Sequence, residues 1–481
     1  MSATREIRLR APWTGAPPAH ERSFWLREAL ARERIDDGAQ ALNGERRCDV
    51  VIVGGGFTGL WTAMELMDRV PGIDICLLEA DVCGGGASGC NAGMLMNLWP
   101  KFLSLAAITA TDEAVWLAEE SARAAADVQH FIVGSGEDVG FRPVPWLWVA
   151  ENMAQRGAWK ETLTAIARTG RDPLRELSAD EARALARSEQ VHGAVLDPGC
   201  ATLDPARLAR ALRRTVISRG GAVHERTPVT ALRQNGPRVV VQSPSGRVSA
   251  DRAVLAINAW AAQLDDVGRR LVMVASDNLV TEPVPDALAA LGWDAESALT
   301  DSRRRLNYYR TLPDGRVLFG KGGVAVGYGS RAARTQWGPA LRPADAREAL
   351  ARVYPKLLEA PVAITWTAPV EYSVTSLPFC DRLASVPGAV FATGYSGDGL
   401  GPSRLLARML ASATLDTVDQ WSRCSLARVP NGRLPPEPLR WLGARAVLPA
   451  LAATERCEDR DRRASALVRA IAGVDPTRFA G

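Results

Sequence analysis

A strand, a glycine-rich turn, a helix and a second strand follow one another directly near the start of the chain. Residues 48–53 read CDVVIV, a continuous apolar run typical of a strand buried in a parallel sheet. The turn satisfies G-x-G-x-x-G with Gly54, Gly56 and Gly59, and the second strand ends in Glu79. In such a unit the glycines permit a tight turn, close approach of a pyrophosphate and close helix packing, while the carboxylate binds a ribose diol. The segment therefore predicts a dinucleotide-binding βαβ unit.

Two further glycine-rich loops help to distinguish FAD from NAD. The first, residues 84–93, comes soon after Glu79, where an NAD site has no need of one and the longer FAD requires backbone near its ribitol and ring. The second, residues 394–401, is followed by Pro402, and proline in the first turn is pre-organised for a helix. The positive end of that helix would stabilise a flavin edge that becomes anionic on reduction. The three loops together favour FAD.

The residues expected to contact FAD come from these loops and the positions beside them. They are Gly54, Gly56, Phe57, Thr58, Gly59, Glu79, Ala80, Gly86, Ala87, Ser88, Asn91, Ala92, Gly93, Met94, Gly394, Gly397, Asp398, Gly399, Leu400, Gly401 and Pro402.

Length and composition limit the class of protein. At 481 residues the chain is long enough for two or three domains or one two-lobed enzyme. Hydrophobic residues at 47% and charged residues at 23% are close to the globular average, which excludes disorder, collagen and coiled coil. No uncharged apolar run reaches the roughly 18 residues of a membrane span, and the N-terminus lacks the apolar region of a secretory signal. We therefore expect a cytoplasmic protein without a membrane span.

The charged residues do not indicate a nucleic-acid partner. Lysine and arginine together number 58, against 54 Asp and Glu. The densest arginine groups, at 303–305 and 460–463, lie beside acids and lack interleaved aromatics, so we interpret them as solvated surface. The eight cysteines include no C-x-x-C pair and the four histidines are far apart, so neither a structural metal site nor a disulfide framework is expected.

Over residues 24 to 445 the chain resembles the FAD-dependent amine oxidoreductases of the D-amino-acid oxidase fold, which include monomeric sarcosine oxidase, glycine oxidase and γ-glutamylputrescine oxidase. The resemblance rests on VIVGGGFTGLWTA, LLEADVCGGGASGCNAG, VLAINAWAA, YYRTLPDGRVLFGKGG and GYSGDGLGPS. Within that group the chain is most similar to the aminophosphonate oxidoreductases, by SFWLREAL and PPEPLRWLGAR. One departure is Cys90, where relatives commonly have arginine.

The resemblance implies an α/β fold: a Rossmann-like FAD-binding domain with a second α+β substrate domain built on a mixed or antiparallel sheet. An N-terminal arm and a C-terminal helical tail would flank these two domains. The expected segments are 1–45 for the arm, 46–110, 196–262 and 373–420 for the FAD-binding domain, 111–195 and 263–372 for the substrate domain, and 421–481 for the tail.

Two statements about the cofactor also follow from the resemblance. Val229 occupies the position from which the backbone of relatives often meets the adenine. Sarcosine oxidases attach their flavin through a cysteine just before the last FAD-binding segment, and the corresponding residues 370–373, VEYS, contain none. Noncovalent FAD is therefore expected.

The implied activity is oxidation of a small primary or secondary amine of the amino-acid or aminophosphonate class. A hydride leaves the carbon next to the amine, the imine is hydrolysed, and O2 or another acceptor takes the electrons. The candidate substrate-binding residues are aromatic or cationic, namely Trp148, Tyr308, Tyr309, Arg310 and Trp366. Lys321, between glycines in FGKGG, is the candidate catalytic residue, because in similar sarcosine oxidases a lysine on this strand promotes electron transfer to oxygen.

Three alternatives stay open at this point. The enzyme would be a dehydrogenase if its electron acceptor is not oxygen, or the chain would be a subunit that only holds FAD. An NAD(P)H-dependent flavin reductase or hydroxylase would need a second dinucleotide site, which the single G-x-G-x-x-G disfavours.

Overall fold

The computed structural model describes residues 6–10, 16–33, 40–264, 267–293, 297–330 and 337–474, so parts of the predicted arm and tail lie outside the described residues. The strands are β1 (Glu6–Arg8), β2 (Gly44–Val53), β3 (Ile75–Leu78), β4 (Met94–Leu95), β5 (Arg142–Pro143), β6 (Trp146–Val149), β7 (Arg175–Leu177), β8 (Ala194–Asp197), β9 (Ala201–Thr202), β10 (Ala222–His224), β11 (Ala231–Asn235), β12 (Arg238–Ser243), β13 (Gly246–Leu255), β14 (Leu271–Thr281), β15 (Ala298–Asp301), β16 (Asn307–Thr311), β17 (Val317–Val326), β18 (Val362–Ser373), β19 (Phe379–Leu383) and β20 (Val386–Thr393). The α-helices are α1 (Phe24–Ala31), α2 (Phe57–Arg69), α3 (Phe102–Ile108), α4 (Thr111–Ser135), α5 (Lys160–Ala167), α6 (Ala179–Ala186), α7 (Pro205–Ser218), α8 (Pro285–Leu291), α9 (Pro343–Val353), α10 (Leu400–Thr414), α11 (Gln420–Arg423), α12 (Leu439–Glu458) and α13 (Ala466–Ala472).

The first large sheet is built around the predicted βαβ unit. Its strands run in the order β1-β11-β12-β13-β2-β3-β10, with β20 added beside β13 and β19 beside β20. The central strands β10, β3, β2, β13 and β20 are parallel. Where both faces of the parallel sheet are covered, its strands are apolar, and residues 50–53 and 75–78 are all buried.

The second large sheet is mixed, as the resemblance implied. Its eight strands run in the order β18-β14-β17-β16-β15-β6-β8-β7, and every pair is antiparallel except β15 with β6. The chain enters this sheet, returns to the first one through β10 to β13, and enters the second again at β14. The exact domain boundaries given above stay predictions.

A 3₁₀ turn at Met153–Gln155 precedes α5, which covers Lys160–Ala167. Gly157 separates the two with φ of +77°, a left-handed conformation that an α-helix does not accommodate.

The arginine group at 303–305 corrects the sequence interpretation, because two of its members are buried. The Arg303 guanidinium lies 2.7 Å from Asp301 and 2.7 Å from Asp459. Arg305 lies 3.6 Å from Glu455 of α12. Buried cations require paired carboxylates, and two of these, Asp459 and Glu455, come from a segment too distant in sequence for a local pattern to reveal. The surface interpretation is wrong for Arg303 and Arg305.

In the C-terminal segment, side chains of α12 and α13, among them Val447, Leu451 and Ala472, form a small apolar core. The arginines at 460–463 are exposed between these helices. Within the described ranges, no helix combines the length and apolar character needed to cross a membrane.

Candidate active site

The first glycine turn lies between β2 and α2 and is packed tightly. Gly54 has φ of +110°, and a Cβ there would lie 2.3 Å from the Ala256 carbonyl oxygen. A Cβ on Gly59 would lie 2.0 Å from the Gly54 carbonyl oxygen, so this glycine serves the close packing of helix on strand. Gly56 precedes the first residue of α2 and lines a cavity, where the helix amides and dipole favour a phosphate.

Glu79 lies at the carboxyl end of β3 and faces the same cavity. Its carboxylate accepts hydrogen bonds from the Gly55 amide at 2.7 Å and the Asp81 amide at 2.9 Å, which fix its orientation. Burial raises the pKa of Glu79 to about 7. The position is that of a carboxylate that binds a ribose diol.

The second glycine loop folds back onto the first. The Ser88 hydroxyl accepts a hydrogen bond from the Phe57 amide at 3.0 Å, which joins this loop to the start of α2. The Asn91 side chain donates to the Ala87 and Ser88 carbonyls, both at 3.0 Å, and accepts from the Gly93 amide at 2.7 Å. The loop is thus rigid where it meets the cavity.

The N-terminal helix α1 supports the second loop from behind. Ser23 caps α1 by accepting from the Leu26 amide, and its hydroxyl donates to the Gly89 carbonyl at 2.6 Å. Trp25 donates its indole N–H to the Asn91 carbonyl at 2.8 Å. Helix α1 therefore docks on the second glycine loop.

The third glycine loop precedes α10, which begins at Leu400, two residues before the predicted start. The Tyr395 and Thr58 hydroxyl oxygens are 2.6 Å apart, which ties this loop to α2. Lys101 lies 2.8 Å from Asp398 and donates to the Ser396 carbonyl at 3.1 Å. The loop is thereby held on both sides at the amino end of α10.

Two adjoining cavities run along these loops. The glycine-turn cavity, about 110 Å³, extends from Glu79 past the first turn, and the central cavity, about 440 Å³, extends to the third loop. Both are lined by the same five residues where they meet, namely Phe57, Thr58, Ala87, Ser88 and Asn258. A long groove with a ribose carboxylate at one end and a helix amino end at the other fits FAD.

Most of the predicted cofactor residues line this groove. Those in the glycine-turn cavity are Gly54, Gly56, Phe57, Thr58, Glu79, Ala80, Gly86, Ala87, Ser88 and Val229. The central cavity adds Asn91, Ala92, Met94, Gly397, Asp398, Gly399, Leu400, Gly401 and Pro402. Gly59, Gly93 and Gly394 lie behind the lining and shape the loops.

The predicted substrate residues divide between the cavity and the core. Trp148 and Tyr308 line the central cavity. The Tyr308 hydroxyl lies 2.8 Å from the Ser276 hydroxyl and donates to the Asn278 side chain at 3.1 Å, and burial raises its pKa to about 12. Trp148 and Tyr308 are therefore placed to contact a substrate.

Tyr309, Arg310 and Trp366 do not line the cavity, and the structure corrects their predicted role. Tyr309 points to the other face of β16 and stacks on Phe319 at 5.3 Å in the core. Arg310 donates to the Leu203 carbonyl at 2.7 Å and lies over the Trp25 ring. Trp366 is fully buried and donates its indole N–H to the Cys90 carbonyl at 2.9 Å.

Lys321 lies on the face of β17 that points away from the central cavity. It is paired in register with Asn307, donates to the Asn307 side chain at 2.9 Å and lies 4.0 Å from Glu455. The planar ring next to the flanking Gly320 belongs to Tyr308, because a Cβ on that glycine would lie 1.9 Å from it. This placement does not fit the predicted contact with flavin, so Lys321 has no part in the function proposed below.

Sequence reasoning missed several residues that line the central cavity, namely Trp146, Lys101, Asn258, Glu371, Tyr372 and Tyr395. Trp146 could have been found, because it is two residues from Trp148 and shares its face of the strand. Glu371 carried no such signal. Its buried carboxylate accepts from the Asn258 side chain at 2.7 Å and the Tyr395 amide at 3.2 Å, and burial raises its pKa to about 7.

Fold and site together define a flavin-dependent redox enzyme, and comparison with known proteins agrees. The family described as FAD dependent oxidoreductase matches residues 49–413. The γ-glutamylputrescine oxidoreductase of Escherichia coli (strain K12) is 28% identical over 435 residues, which cover 88% of this chain and 97% of that protein. This chain belongs to the FAD dependent oxidoreductase family, and FAD is its cofactor.

Solved structures confirm the predicted fold class. The crystal structure of glycine oxidase from Geobacillus kaustophilus has a TM-score of 0.63 at 23% identity, covering 80% of this chain and 100% of that one. L-proline dehydrogenase from P. horikoshii has a TM-score of 0.62 at 16% identity, covering 78% of this chain and 96% of that one. The two-sheet architecture described above is thus shared with both.

Proposed function

We propose that this enzyme oxidises a small primary or secondary amine of the amino-acid or aminophosphonate class. When bound, FAD supplies the acceptor for a hydride from the carbon next to the amine nitrogen. The imine is then hydrolysed to a carbonyl compound, and O2 or another acceptor takes up the electrons. The names of the relatives support an amine or amino acid as the substrate, since they include γ-glutamylputrescine oxidoreductase and glycine oxidase.

The observation that carries this proposal is the position of the central cavity. One wall is the third glycine loop at the amino end of α10, and the facing wall is the second sheet with Trp148 and Tyr308. A substrate between these walls would lie beside the cofactor. Aromatic walls of this kind orient a small molecule and exclude water from the reacting atoms.

The residues around the third loop hold this geometry. Glu371 fixes Asn258 and the Tyr395 amide, and Lys101 fixes Asp398 and the carbonyl of Ser396. Because these contacts are buried or half-buried, the loop is preorganised before substrate arrives.

We also infer that FAD is bound noncovalently. Cys380 is buried in the core beneath the groove and lines neither cavity. Cys90 lines the central cavity, but burial raises the pKa of its thiol to about 12 and so keeps it protonated and unreactive. Acid precipitation should therefore release the yellow colour into the supernatant, whereas colour retained in the washed pellet would contradict noncovalent binding.

The proposed activity is tested with a panel of amines that includes glycine, secondary amino acids, γ-glutamylputrescine and 2-aminoethylphosphonate. Each amine is incubated with the purified flavoprotein in air, with detection of peroxide and carbonyl product, and again with an artificial electron acceptor. Carbonyl product from at least one amine is expected. Carbonyl product with the artificial acceptor but without peroxide in air would identify a dehydrogenase, and its absence in both assays would overturn the proposal.

A further inference from the structure

A separate apolar cavity of about 170 Å³ lies between α12 and the strands β14 and β17. We call it the α12 cavity. Its walls are mainly aliphatic side chains, among them Val272, Val274, Val326, Ala444, Val447 and Leu451. None of these residues lines the central cavity or the glycine-turn cavity.

Two residues connect the α12 cavity with the central cavity, because Tyr372 and Arg304 line both. The Tyr372 hydroxyl also lies close to the third glycine loop, since a Cβ on Gly397 would be 3.7 Å from it. Tyr372 thus lies between the third glycine loop and the aliphatic walls of the α12 cavity. Tyr372 and Arg304 form the shared wall that a passage from one space to the other would cross.

We propose that the α12 cavity is the passage by which dioxygen reaches the reduced cofactor. This inference rests on the proposed function, in which O2 takes two electrons and two protons from the reduced flavin and leaves as hydrogen peroxide. The part of the cavity walled by Val272, Val274, Val447 and Leu451 offers water no hydrogen-bond partner, so a small apolar molecule is favoured there. Dioxygen is uncharged and apolar, so it is compatible with the aliphatic walls of the α12 cavity.

The charges around the α12 cavity argue against the amine as its occupant. Arg304, Arg305 and Arg440 contribute to its lining, and the lining includes no carboxylate residue. Arg305 and Arg440 are paired with Glu455 and Glu437, which do not line the cavity, so the wall offers an ammonium group guanidinium groups and no carboxylate of its own. The substrate would therefore use the central cavity and leave the α12 cavity to oxygen.

The cavity itself is tested without turnover, by pressurising crystals of the FAD-loaded enzyme with xenon. Xenon is a probe for the sites that small apolar gases occupy. Electron density for xenon is expected between Val274 of β14 and Val447 of α12. A cavity that contains ordered water and no xenon would overturn the proposal.

The passage is tested by Ala444→Phe, which places a ring into the cavity, with Ala446→Phe as the matched control. Ala446 is exposed on the same helix and does not line the cavity. In Ala444→Phe, reoxidation of the amine-reduced enzyme by O2 should slow about tenfold, while anaerobic reduction by the amine stays unchanged. Ala446→Phe should match the wild type in both steps, and xenon density should disappear only in Ala444→Phe.

A second variant covers the case in which Ala444→Phe does not fold or bind FAD. Val447→Phe enlarges a buried side chain that lines the cavity, and the adjoining space of about 170 Å³ can accept the larger ring, so this variant is expected to fold. It too should slow reoxidation selectively. Reoxidation at the wild-type rate in a folded variant would overturn the passage.

Three further outcomes separate this inference from the proposed function. Slower anaerobic reduction by the amine in Ala444→Phe would show that substrate uses the cavity and would overturn the inference. Reduction of the wild type by an amine without reoxidation by O2 would overturn it too, yet leave amine oxidation intact. Failure of every amine to reduce the flavin would instead remove the proposed function itself.

Discussion

The hydroxyl oxygens of Thr58 and Tyr395 lie 2.6 Å apart, although the two residues are 337 positions apart in the chain. Thr58 is in the first turn of α2 and Tyr395 is in the third glycine loop, so this contact joins two walls of the cofactor groove. Both side chains are buried. Loss of one partner would leave the other unsatisfied, which costs about 1–3 kcal/mol.

Tyr395→Phe should therefore lower the free energy of unfolding and weaken FAD binding together. The control is Tyr354→Phe, because Tyr354 is fully buried and donates to the Ala186 carbonyl at 2.6 Å, far from the groove. Denaturant unfolding should show a similar loss of stability in both variants, and FAD titration should show weaker binding only in Tyr395→Phe. Equal FAD affinity in the two would remove the contact from the cofactor site.

Gly56→Val should abolish FAD binding. The glycine lines the groove before α2, and a Cβ there would lie 2.9 Å from the Ser88 hydroxyl oxygen, so a branched side chain would fill the space of the pyrophosphate. Gly134→Val is the control, because a Cβ at Gly134 meets no heavy atom within 4 Å. The purified control should be yellow and the Gly56 variant colourless; a yellow Gly56→Val would contradict the assignment.

Ser23→Ala tests whether helix α1 supports the second glycine loop. Loss of the cap should cost about 1 kcal/mol of stability, and loss of the bond to the Gly89 carbonyl should weaken FAD binding about fivefold. Ser178 caps α6 through a capping box outside the site, so Ser178→Ala should lose comparable stability and keep its FAD affinity. An unchanged FAD dissociation constant in Ser23→Ala would leave the arm with a purely structural role.

Glu79 gives the FAD-free protein a pH dependence. Burial raises its pKa from 4.5 to about 7, so the folded state holds a proton that the unfolded chain releases at lower pH. The proton on Glu79 contributes fully to the free energy of unfolding below pH 4.5. This contribution is lost as the pH rises through about 7, and the largest loss is about 3 kcal/mol.

Glu79→Gln should consequently flatten the fall in melting temperature over that pH range. The control is Glu359→Gln, at an exposed position, which should keep the slope of the wild type. An identical slope in Glu79→Gln and the wild type would contradict a buried, protonated Glu79.

The cofactor groove could be predicted from the sequence because its signals are local. The glycine triplet, Glu79 and the loop at 84–93 lie within one short stretch of sequence. The third loop is recognisable from its own glycines and from Pro402. Each of these residues has a role that follows from backbone chemistry alone. Their placement in one groove therefore required only the assumption of a parallel sheet.

The substrate side could not be predicted in the same way, because the face of a strand is set by distant packing. Tyr308 and Tyr309 are adjacent, yet one faces the cavity and the other faces the core. Lys321 is paired in register with Asn307, so its side chain lies on the same face of the sheet as Tyr309, away from the central cavity. A shift of one residue would exchange the two faces, and the strand's own sequence does not decide between them.

The central claim is that a small amine reduces the flavin. The most direct measurement is the rate of anaerobic flavin bleaching by stopped flow, compared between the wild type, Tyr308→Phe and Tyr309→Phe. An amine from the panel should bleach the oxidised flavin of the wild type, whereas NADH should not. Tyr308→Phe removes a hydroxyl bonded to Ser276 and Asn278 in the cavity and should slow bleaching about fivefold, while Tyr309→Phe, altered in the core, should react at the wild-type rate. Rapid bleaching by NADH with no response to any amine would contradict the account.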